Sequence, residues 1–129
     1  IAIHSRDAAQ DTIQIMRASR AEEIGGVIHC YSYSKESARD FLNMGFYFGI
    51  GGVVTFKNAK KLKEAVAYIP LSNIVLETDA PYLTFRGKRN DSSKLVYVAQ
   101  AIADIKQIPV DEVYAETWKN AHQMYKIQK

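Results

Sequence analysis

The sequence contains little cysteine, proline and tryptophan, and it lacks a long apolar run. Its 129 residues include one cysteine, three prolines and one tryptophan. A single cysteine, Cys30, excludes an internal disulfide, which is typical of a reducing compartment, and we therefore predict a cytoplasmic protein. The apolar runs are too short to span a bilayer, and no segment has the pattern of a signal peptide. These absences argue against a membrane protein and against a disulfide-rich scaffold.

The chain also has little excess of one charge over the other, with 17 lysines and arginines against 14 aspartates and glutamates. The formal net charge is only +3, which permits an anionic partner but does not require one. Hydrophobic residues make up 47% of the chain, and this fraction predicts a globular rather than a disordered protein. The length is sufficient for one domain with a hydrophobic core.

Short apolar runs alternate with helical patterns along the chain. We predict four strands, in the segments IAIH, GVIHC, FYFGI and NIVLETD. The spacing of apolar residues predicts helices over residues 7–20, 34–45 and 58–67, a long helix from Leu95, and a terminal helix that begins in IPVDEV. Ser34 is the expected N-cap of the second helix, and Gly45 is expected to end it. The segments GIGG (49–52) and FRGKRNDSS (85–93) are predicted loops. Because each strand is followed by a helix, the pattern predicts an α/β protein with a parallel sheet.

Polar residues stand where three of the four predicted strands end. His4 ends the first strand, His29 the second and Asp79 the fourth, while the third ends in glycines that leave room. In parallel α/β folds, ligands bind at the carboxyl ends of the strands. A single such histidine is more often a structural residue, but three polar strand ends together are harder to explain by packing. Imidazole and carboxylate suit zinc, manganese or a similar divalent ion, so the pattern predicts a metal site.

Five segments of the chain carry a family resemblance. They are IHSRDA, GVIHCYS, GFYFGIGGVVTFKNA, IPLSNIVLETDAPYLT and RGKRN, and they resemble the TatD-like metal-dependent deoxyribonucleases over nearly the whole chain. The resemblance implies the C-terminal half of a TIM-type (β/α)8 barrel, with four βα units plus a terminal helix. A full barrel needs roughly 250 residues. Residues 1–129 are therefore predicted to form a single partial domain.

The resemblance also implies a site and a reaction. The reaction would be hydrolysis of phosphodiester bonds in DNA, with one or two Mg, Mn or Zn ions as cofactors. By motif, His4, His29 and Asp79 match the family's metal ligands, whereas its H-x-H pair and ligand glutamate have no counterpart here. Asp79 is a candidate catalytic residue as well, because it would accept the proton of a bound water. Glu77 is the other catalytic candidate, either as an acid behind the ligands or as a structural ion-pair partner.

Four basic residues are predicted to contact the phosphates of DNA. Arg86, Lys88 and Arg89 belong to the RGKRN loop, and Arg6 lies two residues after His4. Arginine grips phosphate oxygens bidentately, and contacts of this kind carry no sequence information. Without the resemblance, a solvated basic loop would be the better interpretation.

Two other functions remain open at this point. A metal-dependent barrel hydrolase of a non-nucleic-acid ester or amide would share the strand-end residues, since fold does not fix function. An inactive truncated chain is the second alternative. We expect the partner to be DNA together with either the missing N-terminal half of the barrel or another copy, joined through exposed strand edges. We also expect Trp118 to pack in the core or between helices.

Overall fold

Four short strands form one parallel sheet in the computed structural model, which describes residues 2–4, 9–20, 25–29, 31–77 and 95–127. The strands are β1 (Ala2–His4), β2 (Val27–His29), β3 (Tyr47–Ile50) and β4 (Ile74–Leu76). They lie side by side in chain order, and every neighbouring pair is parallel. The predicted sheet is therefore confirmed.

Five helices connect and follow the strands. They are α1 (Ala9–Ala18), α2 (Lys35–Asn43), α3 (Lys60–Tyr68), α4 (Leu95–Lys106) and α5 (Val110–Ile127). Two short 3-10 turns, Gly52–Thr55 and Leu71–Asn73, flank α3. Among the helices of the described residues, none has the length and apolarity needed to cross a membrane. The strand–helix alternation confirms the predicted α/β class.

Local signals in the sequence set both ends of α2. At its start, the Ser34 hydroxyl oxygen accepts a hydrogen bond from the backbone N–H of Ser37 at 3.2 Å. Such a cap satisfies one of the backbone donors that the first turn leaves without a partner. At its end, Gly45 has φ +77° and donates its N–H to the carbonyl of Leu42 at 2.9 Å. A left-handed residue of this kind favours glycine, so the predicted termination is confirmed.

Residues 49 and 50 were predicted both as the end of the third strand and as the start of the GIGG loop, and only the strand prediction is confirmed. Gly49 and Ile50 belong to β3, and Gly52 begins a 3-10 turn. Helix α3 begins at Lys60, two residues later than predicted, and β4 ends at Leu76, with Glu77 directly after it. The predicted loop 85–93 lies outside the described residues. Glycine has no side chain to pack on a sheet, so a glycine-rich strand end resembles a loop in sequence.

The outer face of the sheet packs against the helices. The fully buried side chains there include Ile28, Phe41, Phe48, Ile74 and Ile102. The three strand residues of this set, Ile28, Phe48 and Ile74, occupy matching register positions in β2, β3 and β4. Because strand side chains alternate between faces, their sequence neighbours belong to the opposite face, called here the inner face.

Helix α5 covers the base of the inner face. A second cluster joins Val27 of β2 and Val75 of β4 to Met124 of α5, with Tyr47 and Ala121 packed against it. The lower half of the inner face is thus apolar and covered. The upper half, toward the carboxyl ends of the strands, holds the polar residues described below.

The prediction that Trp118 packs in the core or between helices is wrong. Its side chain is 66% exposed on α5, and its ring lies against that of His122 at a tilt of 36°, with centroids 3.9 Å apart. The two residues are one helical turn apart, so this ring contact is local to α5. The buried side of α5 uses smaller residues, including Val113 and Thr117.

Asn120 ties α5 to the beginning of β4. Its Nδ2 donates to the carbonyl oxygens of Leu71 and Ile74, both at 2.8 Å, and the residue is only 1% exposed. We expect Asn120→Ala to lower the free energy of unfolding by about 2–3 kcal/mol, because one buried and one partly buried carbonyl group lose their donor. Urea denaturation followed by circular dichroism measures this loss. Lys119→Ala, on the exposed side of the same turn, is the control, and an equal loss in both variants would contradict the role of the two bonds.

Candidate metal centre

Two histidines lie side by side at the carboxyl edge of the sheet. The register of β1 and β2 pairs His4 with His29. Residues paired in this way on adjacent strands have their backbones at the same height of the sheet. The His29 side chain belongs to the inner face, because side chains alternate along a strand and Val27, two residues earlier, belongs to the inner cluster. The backbone therefore brings together two residues that are 25 positions apart in the chain.

A hydrogen bond links His29 to Glu77. Nδ1 of the imidazole and Oε2 of the carboxylate are 2.9 Å apart, and the two side chains are 30% and 16% exposed. An ionised carboxylate has only acceptors, so the Nδ1–H group donates to it. Charge-assisted bonds of this type are short and roughly twice as strong as neutral ones. One candidate catalytic residue thus contacts one candidate ligand directly.

The carboxylate of Glu77 occupies the space above Gly49. A Cβ atom built on Gly49 would come closer than 3.0 Å to the carboxylate carbon and to both of its oxygens. Real Cβ atoms essentially never approach other atoms so closely. The glycines at the end of the third strand therefore do leave room, and the Glu77 side chain fills the space above Gly49.

Tyr31 anchors the chain shortly after His29. Its backbone N–H donates to the carbonyl of Gly49 at 2.8 Å, and its hydroxyl donates to the carbonyl of Ser34 at 2.5 Å. The buried ring meets Phe48 edge to face, with centroids 4.9 Å apart. Burial raises the pKa of the Tyr31 hydroxyl above its ordinary value, and the neighbouring Tyr33 raises it further. These contacts fix the end of β2 against β3, and with it the position of His29.

The other predicted site residues lie outside the described part of the chain. They are Arg6, Asp79, Arg86, Lys88 and Arg89, together with the side chain of His4. Within the described residues, no group of three histidine, cysteine, aspartate or glutamate side chains comes together to hold a metal ion. A cavity of about 910 Å³ lies elsewhere, between the 3-10 turn Gly52–Thr55, α3 and α4, and its described lining includes neither His29 nor Glu77.

The imidazole and carboxylate groups in the described part of the site suit a divalent ion. Histidines that ligate metals commonly donate their other ring N–H to a carboxylate, and His29 and Glu77 form this pair. Gly49 has no side chain, so it leaves the space that the Glu77 carboxylate of this pair occupies. Fold and donors together define a parallel α/β protein with a histidine–carboxylate pair at the carboxyl edge of its sheet, a pair that is common at metal sites.

Comparison with known sequences gives the family. The sequence model of the family described as "TatD related DNase" matches residues 1–126. The chain is 46% identical to YabD of Bacillus subtilis over an alignment of 130 positions, which covers 98% of this chain and 51% of YabD. It is 38% identical to YcfH of Escherichia coli K12, covering 98% of this chain and 49% of YcfH. Both relatives are described as uncharacterized metal-dependent hydrolases. The chain belongs to the TatD-related DNase family of metal-dependent hydrolases.

Solved structures agree with this assignment. The crystal structure of YjjV, a TatD homolog from Escherichia coli K12, matches with a TM-score of 0.85 at 28% identity and covers 95% of this chain and 48% of YjjV. A TatD family hydrolase from Entamoeba histolytica shares the fold, with a TM-score of 0.83 at 22% identity. The chain spans about half the length of the relatives it matches. Its fold is accordingly half of a TIM-type barrel, as predicted.

Proposed function

We propose that the protein hydrolyses phosphodiester bonds in DNA with one or two divalent ions, Mg²⁺, Mn²⁺ or Zn²⁺. The observation that carries this proposal is the His29–Glu77 hydrogen bond at the carboxyl edge of a parallel sheet. It is an arrangement typical of metal-binding histidines. The description of the matching family as DNases supports the choice of DNA. The proposal further places the protein in the cytoplasm, because its single cysteine suits a reducing compartment.

In this proposal His4, His29 and Asp79 hold the ion. The remaining ligands, an H-x-H pair and a glutamate, come from the complementary half of the barrel, and the two halves together are called here the assembled protein. A divalent ion bound there would polarise the phosphoryl group and lower the pKa of a water molecule. Asp79 accepts the proton of the attacking water, since a carboxylate at this position combines basicity with negative charge. Glu77 acts behind the ligands, through His29.

Arg6, Arg86, Lys88 and Arg89 bind the phosphates of the DNA in this proposal. Arg89→Ala should weaken the binding of a fluorescein-labelled single strand. It should also reduce the slope of log K against log salt by about one unit, because one phosphate contact releases about one counterion. Fluorescence anisotropy over a salt series measures both quantities. Arg39→Ala, which removes an exposed arginine from α2, is the matched control. If the two variants give the same slope, Arg89 does not contact phosphate.

A second candidate function is hydrolysis of an ester or amide that is not a nucleic acid. It is supported by the names of YabD and YcfH, which specify metal-dependent hydrolysis without a substrate. The assembled protein, with and without Mn²⁺, is to be assayed on single-stranded DNA, duplex DNA and small carboxylic ester and amide substrates. Metal-dependent cleavage of DNA alone supports the nuclease. Cleavage confined to the small substrates supports the second function and contradicts the first.

A further inference from the structure

Position 49 requires glycine because a side chain there would have no space, and not because of its backbone conformation. It lies inside β3, a regular strand. Its φ angle is outside the left-handed range that favours glycine, so any residue could adopt its backbone. Glycine inside a strand otherwise weakens the strand, and it often marks a position that another group approaches closely. At Gly49 the approaching group is the Glu77 carboxylate.

The reach of Glu77 explains why this space is needed. His29 ends β2 and Glu77 follows β4, so that β3 lies between them. Strands two positions apart in a sheet are separated by roughly 10 Å. A glutamate can bridge that gap to an imidazole only by lying flat across the middle strand. The residue of β3 beneath the carboxylate must therefore lack a side chain, and that residue is Gly49.

We propose that Gly49 and Glu77 are positioning residues that hold the His29 imidazole with its proton on Nδ1, so that Nε2 carries the lone pair for the metal. The inference rests on the proposed function for the identity of the ligand on Nε2. A neutral imidazole has one donor and one acceptor nitrogen, and the bond made by one nitrogen decides the state of the other. With Nδ1–H donating to Glu77, the acceptor is Nε2.

The test measures the tautomer of His29 directly. The assembled protein, metal-free and labelled with ¹⁵N at histidine, is examined by long-range ¹H–¹⁵N correlation NMR at pH 8, where an ordinary imidazole is neutral. His29→Gln identifies the signals by their loss. We expect Nδ1–H in the unmodified protein. We expect a shift toward Nε2–H in Gly49→Ala, whose methyl group displaces the carboxylate, and in Glu77→Asp, whose side chain is too short to cross β3.

Metal binding provides a second measurement. Calorimetry with Zn²⁺ should show an affinity about 10–100-fold lower in Gly49→Ala and in Glu77→Asp, the loss that is typical when the hydrogen-bond partner of a ligand is removed. Gly51→Ala is the matched control. Its methyl group would meet the backbone oxygen of Glu77 at 3.3 Å and not the carboxylate. Because this contact is much milder than the one at Gly49, this variant should change tautomer and affinity far less than Gly49→Ala does.

A double variant separates the space argument from general damage to β3. In Glu77→Ala the carboxylate is absent, so adding Gly49→Ala should cost no further affinity and should leave the tautomer of Glu77→Ala unchanged. Should Gly49→Ala fail to fold, Glu77→Asp still tests the proposal, because it adds no volume to the sheet. Nε2–H in the unmodified protein, or an unchanged tautomer in Glu77→Asp, would overturn the proposal. The tautomer is measured without metal or substrate, so a missing nuclease activity contradicts the proposed function separately.

Discussion

Asp79→Asn should lower the turnover of metal-dependent DNA cleavage by the assembled protein about 10²–10⁴-fold, the usual contribution of a general base. Asparagine keeps the shape of the side chain but removes its charge and its basicity. His4 and His29 each offer one neutral nitrogen, whereas Asp79 would supply negative charge, a metal bond and the proton acceptor together. The loss should therefore appear mainly in turnover and less in substrate affinity.

Turnover and Michaelis constant on single-stranded and duplex DNA provide the measurement. Asp104→Asn is the control, since Asp104 lies on α4 and accepts a hydrogen bond from Gln100 on the same helix. That variant should retain the parental rate. Arg89→Ala should show the opposite division, with weaker binding and little change in turnover. If Asp79→Asn cleaves DNA at the parental rate, the carboxylate is neither base nor essential ligand, and the proposed mechanism fails.

The sequence predicted those parts of the fold that depend on local chemistry. Ser34 and Gly45 identified the ends of α2 because a cap and a left-handed residue act within a few positions of themselves. The four strands were found because short apolar runs stand between helical patterns. His4 and His29 were grouped because parallel strands share a carboxyl edge, and their pairing in the register is consistent with that grouping.

The contacts between distant residues could not be predicted from spacing. Glu77 and His29 are 48 positions apart, and they meet only because β3 has a glycine where the carboxylate crosses. A shift of one residue in the register of β4 would turn Glu77 to the other face of the sheet. The bonds of Asn120 depend on how α5 crosses the base of the sheet, and the exposure of Trp118 depends on the same packing. The sequence analysis predicted Glu77 as an acid behind the ligands or as an ion-pair partner, but it did not predict that its carboxylate crosses β3 to reach His29.

The 129-residue chain on its own should self-associate, and adding the complementary half of the barrel should convert it into a one-to-one complex. In the described sheet, β1 and β4 are the outermost strands, and each is paired with one neighbour only. An open strand edge presents backbone N–H and C=O groups that pair readily with another chain, whereas a closed barrel has no edge. Sedimentation velocity on the chain alone, and then on the mixture, measures the change.

Association through α5 is the competing explanation, because Trp118 and Tyr114 are exposed one turn apart on that helix. Trp118→Gln separates the two surfaces. If the strand edges drive association, this variant should sediment as the unmodified chain does, and it should still form the complex with the complementary half. A monomeric Trp118→Gln chain would assign self-association to α5. A monodisperse monomer of the unmodified chain would contradict the open-edge prediction itself, since the two outermost strands of the described sheet would then be stable in water without a second neighbouring strand.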